Sequence, residues 1–240
     1  MAMDPLVEIE PGQGPRSTGI SYQELLDLET RPVPETLRMQ SARDIPAVKV
    51  PIERYTSRAF HDLEVEKVWK KAWQFACREE QLPEPGDHVV YDIAHLSLVI
   101  VRGRDMQIRA FHNVCLHRGR RLKDFAGGGD ELRCPFHGWT WDLDGSLREL
   151  PCRWDFPSVD RDEYALPEAK VATWGGFVFV NMDPDCEPLE HHLGDLPKHF
   201  ERWPLEDRYI EGHIRKLMRC NWKVCQEAFM EAYQDRKSVV

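Results

Sequence analysis

Two short pairs of potential metal ligands constrain this sequence more than any other feature. Each pair contains one cysteine and one histidine, and sixteen residues lie between the first pair, Cys115 and His117, and the second, Cys134 and His137. An asymmetric [2Fe-2S] cluster needs two thiolates for one iron and two imidazoles for the other. Because imidazole is neutral, such a cluster accepts an electron more readily than an all-cysteine centre. The spacing therefore predicts an electron-relay centre.

A structural zinc site is the main alternative, because two cysteines and two histidines also satisfy tetrahedral zinc. Zinc fingers, however, pair cysteine with cysteine and histidine with histidine, whereas both pairs here are mixed. Gly119 follows the first pair, and Pro135 and Gly138 flank His137. These residues allow both loops to turn tightly, which favours the iron-sulfur interpretation.

The stretches around both pairs resemble the cluster signature of Rieske-type aromatic ring-hydroxylating oxygenases. The residues that carry this resemblance are Asn113, Val114, Cys115, Leu116, His117, Arg118 and Gly119, and then Cys134, Pro135, Phe136, His137, Gly138 and Trp139. Rieske proteins of respiratory complexes have two further cysteines in these loops, and Arg120 and Phe136 stand at those positions here. The resemblance therefore implies the α (large) subunit of an oxygenase, with the two cysteine-histidine pairs binding the cluster.

The composition and charge of the chain exclude some classes of binding partner and indicate where the protein is located. The 240 residues are 42% hydrophobic and carry a formal net charge of -9, which argues against nucleic acid or an anionic membrane as a partner. No apolar run is long enough to span a bilayer, and the N-terminus lacks the apolar region of a signal peptide. We therefore expect a cytoplasmic protein whose seven scattered cysteines are reduced.

The hydrophobic pattern predicts an α+β chain built around an all-β domain. The period of apolar residues indicates an amphipathic helix at 65–76, strands at 88–93, 96–101, 108–111 and 174–181, and a hairpin turn at Asp144–Gly145. We expect an antiparallel β-sandwich with the two ligand loops at its tip. The expected parts are an extended N-terminal arm at 1–52, a helical lead-in at 53–71, the Rieske [2Fe-2S] domain at 72–184, the start of an α+β catalytic domain at 185–234, and a non-native tail at 235–240. The limits of the Rieske domain rest on the resemblance as much as on the strands.

A second informative segment, Asn-Trp-Lys at 221–223 and the residues after it, resembles the first helix of the catalytic domain in the same oxygenases. Glu227, Glu231 and Gln234 fall on one face of that helix. The resemblance implies that Glu231 is the acid that connects a cluster histidine of a neighbouring subunit to a ligand of a mononuclear iron. Gln234 occupies the position of the first iron-binding histidine, and an amide replaces imidazole poorly. We therefore expect no mononuclear iron in the chain as given.

The last residues suggest a reason for Gln234. Residues 235–240 read Asp-Arg-Lys-Ser-Val-Val, which is the translation of a widely used sequencing adapter. The base before that adapter is A, so a histidine codon cut after its second base would read as glutamine. We therefore expect that position 234 was histidine and that the rest of a catalytic domain was lost. A short protein with an unremarkable polar terminus is the alternative.

For the parent protein, the resemblance implies O2 activation driven by NAD(P)H. A reductase, often through a ferredoxin, would supply electrons to the cluster, which passes them across a subunit boundary to mononuclear Fe(II) for hydroxylation of a small organic substrate, expected to be aromatic. Such proteins are commonly homotrimers or α/β hetero-oligomers, and the chain as given is expected to be inactive as an oxygenase. A stand-alone Rieske ferredoxin-like electron carrier is the alternative, although a carrier has no use for the helix after residue 221.

Two groups of side chains near the loops have weaker predictions. A basic cluster follows the first pair and consists of Arg118, Arg120, Arg121 and Lys123. It suggests either a docking site for an acidic ferredoxin or packing against acidic groups of a neighbouring catalytic domain. Trp139 and Trp141 alternate on a predicted strand, so we expect them to shield the cluster and fill the core.

Overall fold

The computed structural model of the protein describes residues 22–38 and 49–230. The chain divides into two units, of which the second begins at Ile52. The first unit contains two short helices, α1 (Tyr22–Asp27) and α2 (Glu35–Arg38). The Arg38 guanidinium and the Asp27 carboxylate form an ion pair at 2.7 Å, which joins two helices that are too short to be stable alone.

The second unit begins with a helical lead-in in three pieces. These are α3 (Glu53–Thr56), α4 (Arg58–Glu64) and a π-helical turn (Val65–Trp69). Ser57 separates the first two pieces, because its extended backbone ends α3. Its hydroxyl then caps α4 by accepting a hydrogen bond from the amide of Phe60 at 3.3 Å. Val65 is fully buried, so the lead-in is packed against the rest of the unit.

Nine strands follow in the described part of the chain, and all their pairings are antiparallel. The strands are β1 (Gln74–Arg78), β2 (His88–Ile93), β3 (Leu96–Arg102), β4 (Ile108–His112), β5 (Leu132–Arg133), β6 (Thr140–Trp141), β7 (Leu147–Glu149), β8 (Glu168–Trp174) and β9 (Phe177–Asn181). Six of them form one sheet in the order β1-β9-β8-β4-β3-β2, and β5-β6-β7 form a smaller sheet. The predicted antiparallel sandwich is confirmed as a nearly closed, barrel-like arrangement.

Strand β3 is buried on both faces. Because successive side chains of a strand point to opposite sides, it contributes to two cores. Leu98 and Ile100 pack into one core, and Val99 and Val101 pack into another. We call the second the ligand-side core; its further buried members include Phe111, Cys115, Leu132, Cys134, Trp139 and Trp141. The smaller sheet and the candidate ligand cysteines therefore share one core with the larger sheet.

The predicted hairpin turn joins β6 to β7. Asp144 Oδ1 accepts hydrogen bonds from the amide and the hydroxyl of Ser146 at 2.9 and 2.6 Å, an arrangement typical of turns that begin with aspartate. Gly145 has a φ of +86°, and a Cβ there would lie 2.5 Å from the ring of Phe111. The turn therefore packs directly against β4 of the larger sheet.

The residues after β9 form short helices and irregular stretches. The helices are α5 (Leu189–Leu193), α6 (Leu196–Phe200) and α7 (Trp222–Met230). Arg78 connects β1 to this part, because its guanidinium donates hydrogen bonds to the carbonyls of Gly175, Leu205 and Arg208. Among the described residues, no helix combines the length and the apolar character needed to cross a membrane.

Candidate metal centre

The two ligand loops share one pattern of backbone hydrogen bonds. In each loop the cysteine amide donates to a carbonyl five residues later, and the cysteine carbonyl accepts from a glycine amide four residues later. These two distances are 2.8 and 2.9 Å for Cys115, and 2.8 and 3.1 Å for Cys134. Equivalent turns therefore present the two thiols.

A glycine closes each turn. Gly119 and Gly138 both have a φ of +75°, in the left-handed region that glycine enters at the least cost. A Cβ at Gly119 would meet open space, so the backbone conformation alone requires glycine there. A Cβ at Gly138 would also approach the Arg133 guanidinium to 3.2 Å. The prediction that these glycines allow tight ligand turns is confirmed.

The four candidate ligands differ in exposure. Cys115 and Cys134 are each 2% exposed within the ligand-side core, whereas His117 is half-buried and His137 is exposed. The centres of the two imidazole rings are 4.9 Å apart. The structure therefore brings the predicted residues together with the thiols inside and the imidazoles towards the surface.

The protonation of these groups follows from their surroundings. Burial raises the pKa of the Cys115 thiol and the neighbouring Cys134 thiol raises it further, although the backbone amides of His117 and Arg118 oppose the shift. Amides directed at the sulfur stabilise its thiolate form, which is the form that binds metal. Burial, and then His137 and Arg118, lower the pKa of His117. The His117 imidazole is therefore neutral near pH 7, as a metal ligand must be.

The donor set fits a two-iron cluster. Thiol lies next to thiol and imidazole next to imidazole, which matches the division of ligands between the two irons of a Rieske cluster. A zinc site instead needs all its donors around a single ion. Within residues 22–38 and 49–230, no three or more His, Cys, Asp or Glu side chains are grouped closely enough to hold one ion.

Aromatic side chains fix the orientation of His117. Its ring stacks on the indole of Trp139 with centres 5.1 Å apart and planes 7° apart, and the edge of Phe156 approaches at 5.8 Å. Trp141 is fully buried behind them and donates a hydrogen bond from Nε1 to the carbonyl of Tyr164 at 2.8 Å. The two tryptophans therefore fill the core, as predicted, and one of them covers a candidate ligand.

Asn113 is a site residue to which the sequence analysis gave no role of its own. Its side chain is 3% exposed, and its Oδ1 accepts hydrogen bonds from the amides of Leu122 and Lys123, both at 3.0 Å. Its Nδ2 donates to the carbonyl of Lys123 at 2.7 Å and to Ser97 Oγ at 3.1 Å. Asn113 therefore ties the two ends of the first ligand loop together. The sequence signal that could have identified it is the position of an asparagine, which can both donate and accept hydrogen bonds, two residues before Cys115.

The basic cluster near the first loop is largely engaged within the protein. Arg120 pairs with Asp124 at 2.5 Å, and Arg121 pairs with Asp92 at 2.6 Å. The half-buried Lys123 donates to a backbone carbonyl at 3.3 Å, and burial lowers its pKa. Asp92 and Asp124 lie in the same predicted domain as the basic cluster, so these contacts match neither of the two predicted roles, and both roles stay predictions.

Helix α7 is attached to the helical lead-in through buried polar contacts. Lys223 Nζ lies 2.5 Å from Glu64 Oε1, and Trp222 Nε1 donates to Glu64 Oε2 at 3.2 Å. Near the start of the helix, Asn221 Nδ2 donates to the carbonyl of Tyr55 at 3.1 Å. These contacts fix the position of α7 relative to the lead-in.

Glu231, the predicted relay acid, and Gln234, at the predicted first iron-ligand position, lie outside the described residues. The tail at 235–240 also lies outside them. Of the residues predicted to share their helix face, Glu227 is described. Its carboxylate accepts a hydrogen bond from the hydroxyl of Tyr55 at 3.0 Å and faces Arg54 at 3.4 Å. Glu227 is therefore engaged with the lead-in helix α3.

Comparison with known proteins places this site in a family. Residues 72–160 match the Rieske [2Fe-2S] domain, and this range contains both ligand loops. The chain is 31% identical over 197 residues to the chlorobenzene dioxygenase subunit alpha of Cupriavidus sp. (strain PS12), covering 80% of this chain and 44% of that protein. It is 33% identical to the carnitine monooxygenase oxygenase subunit of Escherichia coli (strain K12), covering 77% and 50%.

Solved structures agree with the sequence comparisons. A quaternary ammonium Rieske monooxygenase in complex with L-carnitine is similar with a TM-score of 0.71 and 31% identity, over 76% of this chain and 53% of that chain. A naphthalene 1,2-dioxygenase bound to indole, from Rhodococcus sp., is similar with a TM-score of 0.59 and 32% identity, over 63% and 36%. The chain thus spans about half the length of the curated relatives it matches.

Proposed function

Since residues 72–160 match the Rieske [2Fe-2S] domain and the chain is similar to the α subunits of ring-hydroxylating dioxygenases and related monooxygenases, we propose that it is the electron-accepting part of such a subunit. The observation that carries the proposal is the pair of equivalent loops, which present two buried thiols and two outward imidazoles. In this proposal Cys115 and Cys134 hold one iron, and His117 and His137 hold the other. The proposed Rieske domain spans 72–184.

The difference in exposure gives the two thiols and the two imidazoles different proposed roles. The buried thiols keep water away from the inner half of the site, which helps to set the reduction potential. A [2Fe-2S] cluster held here would take up and release one electron. His137 is exposed, so its imidazole provides the shortest route between the site and a partner protein. Stacking on Trp139 keeps His117 in a fixed orientation beside it.

The parent protein, in this proposal, is a Rieske non-haem iron oxygenase that receives electrons from NAD(P)H through a reductase and a ferredoxin. Glu231 would connect the cluster of one subunit to a mononuclear Fe(II) of the next, in a homotrimer or an α/β hetero-oligomer. The relatives are named for chlorobenzene, biphenyl and carnitine, so we propose a small organic substrate and favour an aromatic one. The chain as given, with Gln234 at the first iron-ligand position, would not turn over substrate.

The exposed surface near His137 supports contact with a protein partner. Phe136 is 60% exposed, and its ring centre lies 3.8 Å from that of His137. An exposed aromatic side chain beside a group that would exchange electrons with a partner is typical of a protein interface. The acidic net charge of the chain argues against nucleic acid as that partner.

A stand-alone electron carrier is the second candidate, and the attachment of α7 separates it from the first. A carrier needs the β domain and its loops alone. The contacts of Lys223 and Trp222 with Glu64 instead hold α7, and Glu231 follows the last residue of this helix in the sequence. Reading the source DNA across codon 234 distinguishes the two. A histidine codon followed by an open frame that encodes a second histidine and a later acid supports the oxygenase. Native Gln234 and a native stop codon support the carrier.

Reduction by a physiological type of donor tests the relay itself. We expect NADH with an oxygenase reductase and ferredoxin to bleach the visible absorption of the cluster-loaded protein, with no hydroxylated product from an aromatic substrate. A Cys134→Ser variant should show no such absorption, and Cys152→Ser, at an exposed cysteine, should behave as the parent chain does. Product formation would contradict the predicted inactivity, and failure of the loaded protein to accept electrons even from dithionite would contradict the relay.

A further inference from the structure

A second pair of cysteines lies next to α7, far in the sequence from the ligand loops. Cys220 and Cys225 enclose the Asn-Trp-Lys segment at 221–223, and their sulfur atoms are 3.2 Å apart. Cys220 precedes the helix, and Cys225 lies in its first turn, where its amide donates to the carbonyl of Asn221 at 3.4 Å. The start of the helix therefore folds the chain back so that the two thiols meet.

The exposure of the two thiols differs in a way that suits stepwise oxidation. Cys220 is exposed and Cys225 is half-buried. An oxidant in solution therefore reaches Cys220 first, and Cys225 is in place to react with the product. The hydrogen bond with the Cys225 thiol raises the pKa of Cys220, so the thiolate is the minority form at neutral pH and we expect the first step to be slow.

We propose that Cys220 and Cys225 form a reversible disulfide in response to a hydroperoxide. In the first step the Cys220 thiolate attacks an oxygen of hydrogen peroxide, the O–O bond breaks, and a sulfenic acid and water result. In the second step the Cys225 sulfur attacks the Cys220 sulfur, the S–O bond breaks, and a second water leaves. Two thiols and one hydrogen peroxide thus give one disulfide and two waters, and an added dithiol reverses the reaction.

The other cysteines of the described chain are less suited to this chemistry. Cys77 is 3% exposed, so an oxidant in solution does not reach its sulfur atom, whereas Cys220 is exposed. Cys152 and Cys186 make no contact with a second thiol in the described residues. Cys115 and Cys134 are the proposed cluster ligands and are protected when the cluster is bound.

The disulfide would close a small ring around residues that attach α7 to the lead-in. The side chains of Asn221, Trp222 and Lys223 contact Tyr55 or Glu64. The sulfur atoms need to approach by only about 1 Å to reach bonding distance, so these contacts can persist in the oxidised protein. Oxidation would then link the irregular stretch before Cys220 covalently to the first turn of α7. This inference does not depend on the proposed oxygenase function.

Peptide mapping of the cluster-loaded full chain tests the proposal. Trypsin cleaves after Arg219, Lys223 and Arg236, so the two cysteines fall on different peptides, 220–223 and 224–236. After treatment with hydrogen peroxide and alkylation, we expect these peptides to appear as one linked species, which dithiothreitol separates. In Cys225→Ser the linked species should be lost and Cys220 should accumulate as a sulfenic acid that dimedone traps. The matched control Cys152→Ser should form the link as the parent chain does.

Several outcomes would overturn the proposal. Separate alkylation of both peptides after peroxide treatment would show that the thiols do not form a disulfide. Oxidation of Cys220 to a sulfinic acid in the parent chain, without the linked species, would show that Cys225 cannot react in time. A link between the peptides of Cys115 and Cys134 alone would show damage to the ligand loops and no reaction at the α7 pair.

Discussion

The imidazole of His117 stacks on the indole of Trp139, with ring centres 5.1 Å apart and planes that differ by 7°. Trp139 is 3% exposed and also meets the edge of Phe156 and the ring of Tyr164. The orientation of a candidate metal ligand is therefore set by the aromatic packing of the core beneath it. The packing of the core therefore constrains the geometry of the proposed cluster site.

Removal of the Trp139 indole should affect both the fold and the site. We expect Trp139→Ala to lower the free energy of unfolding by about 3–5 kcal/mol, because it leaves a large cavity in the ligand-side core. The freed His117 ring should also broaden the electron paramagnetic resonance signal of the reduced cluster. Trp154→Ala is the matched control, since Trp154 is 79% exposed and its loss should change neither quantity. An unchanged signal in a folded Trp139→Ala protein would show that stacking does not orient His117.

Breaking the buried ion pair of Lys223 and Glu64 should lower the free energy of unfolding more than breaking a surface ion pair does. Burial alone would raise the pKa of Glu64, but hydrogen bonds from Lys223 and Trp222 outweigh it and lower the pKa. Lys223→Met should therefore leave an uncompensated buried carboxylate and cost about 3–5 kcal/mol in chemical denaturation. The double variant Lys223→Met with Glu64→Leu should recover most of that loss, because no buried charge then remains.

Lys70 provides the control for this prediction. It pairs with Glu66 at 2.6 Å on the exposed face of the lead-in, and Lys70→Met should change stability by less than about 1 kcal/mol. Equal effects of Lys223→Met and Lys70→Met would contradict the account of the buried pair.

The buried His88 should make the fold sensitive to acid. Burial lowers the pKa of His88 from its ordinary value of 6.5, so the folded protein holds this ring neutral while the unfolded chain binds a proton more readily. Stability is therefore complete above pH 6.5 and falls as the pH drops from 6.5 towards the folded-state pKa. In thermal unfolding, His88→Gln should reduce this pH dependence relative to that of the parent chain. A steeper pH dependence in His88→Gln would have the opposite sign to the one expected.

Gly86 should tolerate no side chain. Its φ is +92°, and a Cβ would lie 2.1 Å from the carbonyl oxygen of Gly129. Gly86→Ala should therefore combine backbone strain with a steric clash and cost about 2–4 kcal/mol in denaturant unfolding. Gly212 is the matched control, because its φ lies outside the positive range and its Cβ would meet nothing within 4 Å, so Gly212→Ala should change stability by less than about 1 kcal/mol. If the two variants are equally stable, the close approach of Gly129 is not a constraint.

Local patterns predicted the central part of the fold well. Strands β2, β3 and β4 begin at the residues expected from the alternation of apolar and polar side chains. The two cysteine-histidine pairs stood out in the sequence because a metal cluster would fix both the type and the spacing of its donors, and the structure brings their side chains together. The turn at Gly145 was predictable for a different local reason. Its backbone conformation, with a positive φ, requires glycine.

Other features depend on contacts between residues far apart in the sequence. The expected helix at 65–76 was wrong at its end, because the chain enters β1 at Gln74 and pairs with β9. The expected strand at 174–181 was wrong at its start, because Gly175 and Gly176 form a turn between β8 and β9. Leu205, thirty residues later, packs where a Cβ of Gly175 would lie. A local pattern contains no information about such partners.

Metal analysis combined with pulsed electron paramagnetic resonance tests the central claim most directly. The protein is loaded anaerobically with iron and sulfide, reduced with dithionite and compared with a His137→Ala variant. We predict two irons and two sulfides per chain, a rhombic signal from the reduced cluster, and magnetic coupling to nitrogens of two imidazoles that is lost in part in the variant. A single zinc per chain after expression, no sulfide, and no nitrogen coupling in any loaded sample would contradict the assignment of Cys115, His117, Cys134 and His137 as Rieske ligands.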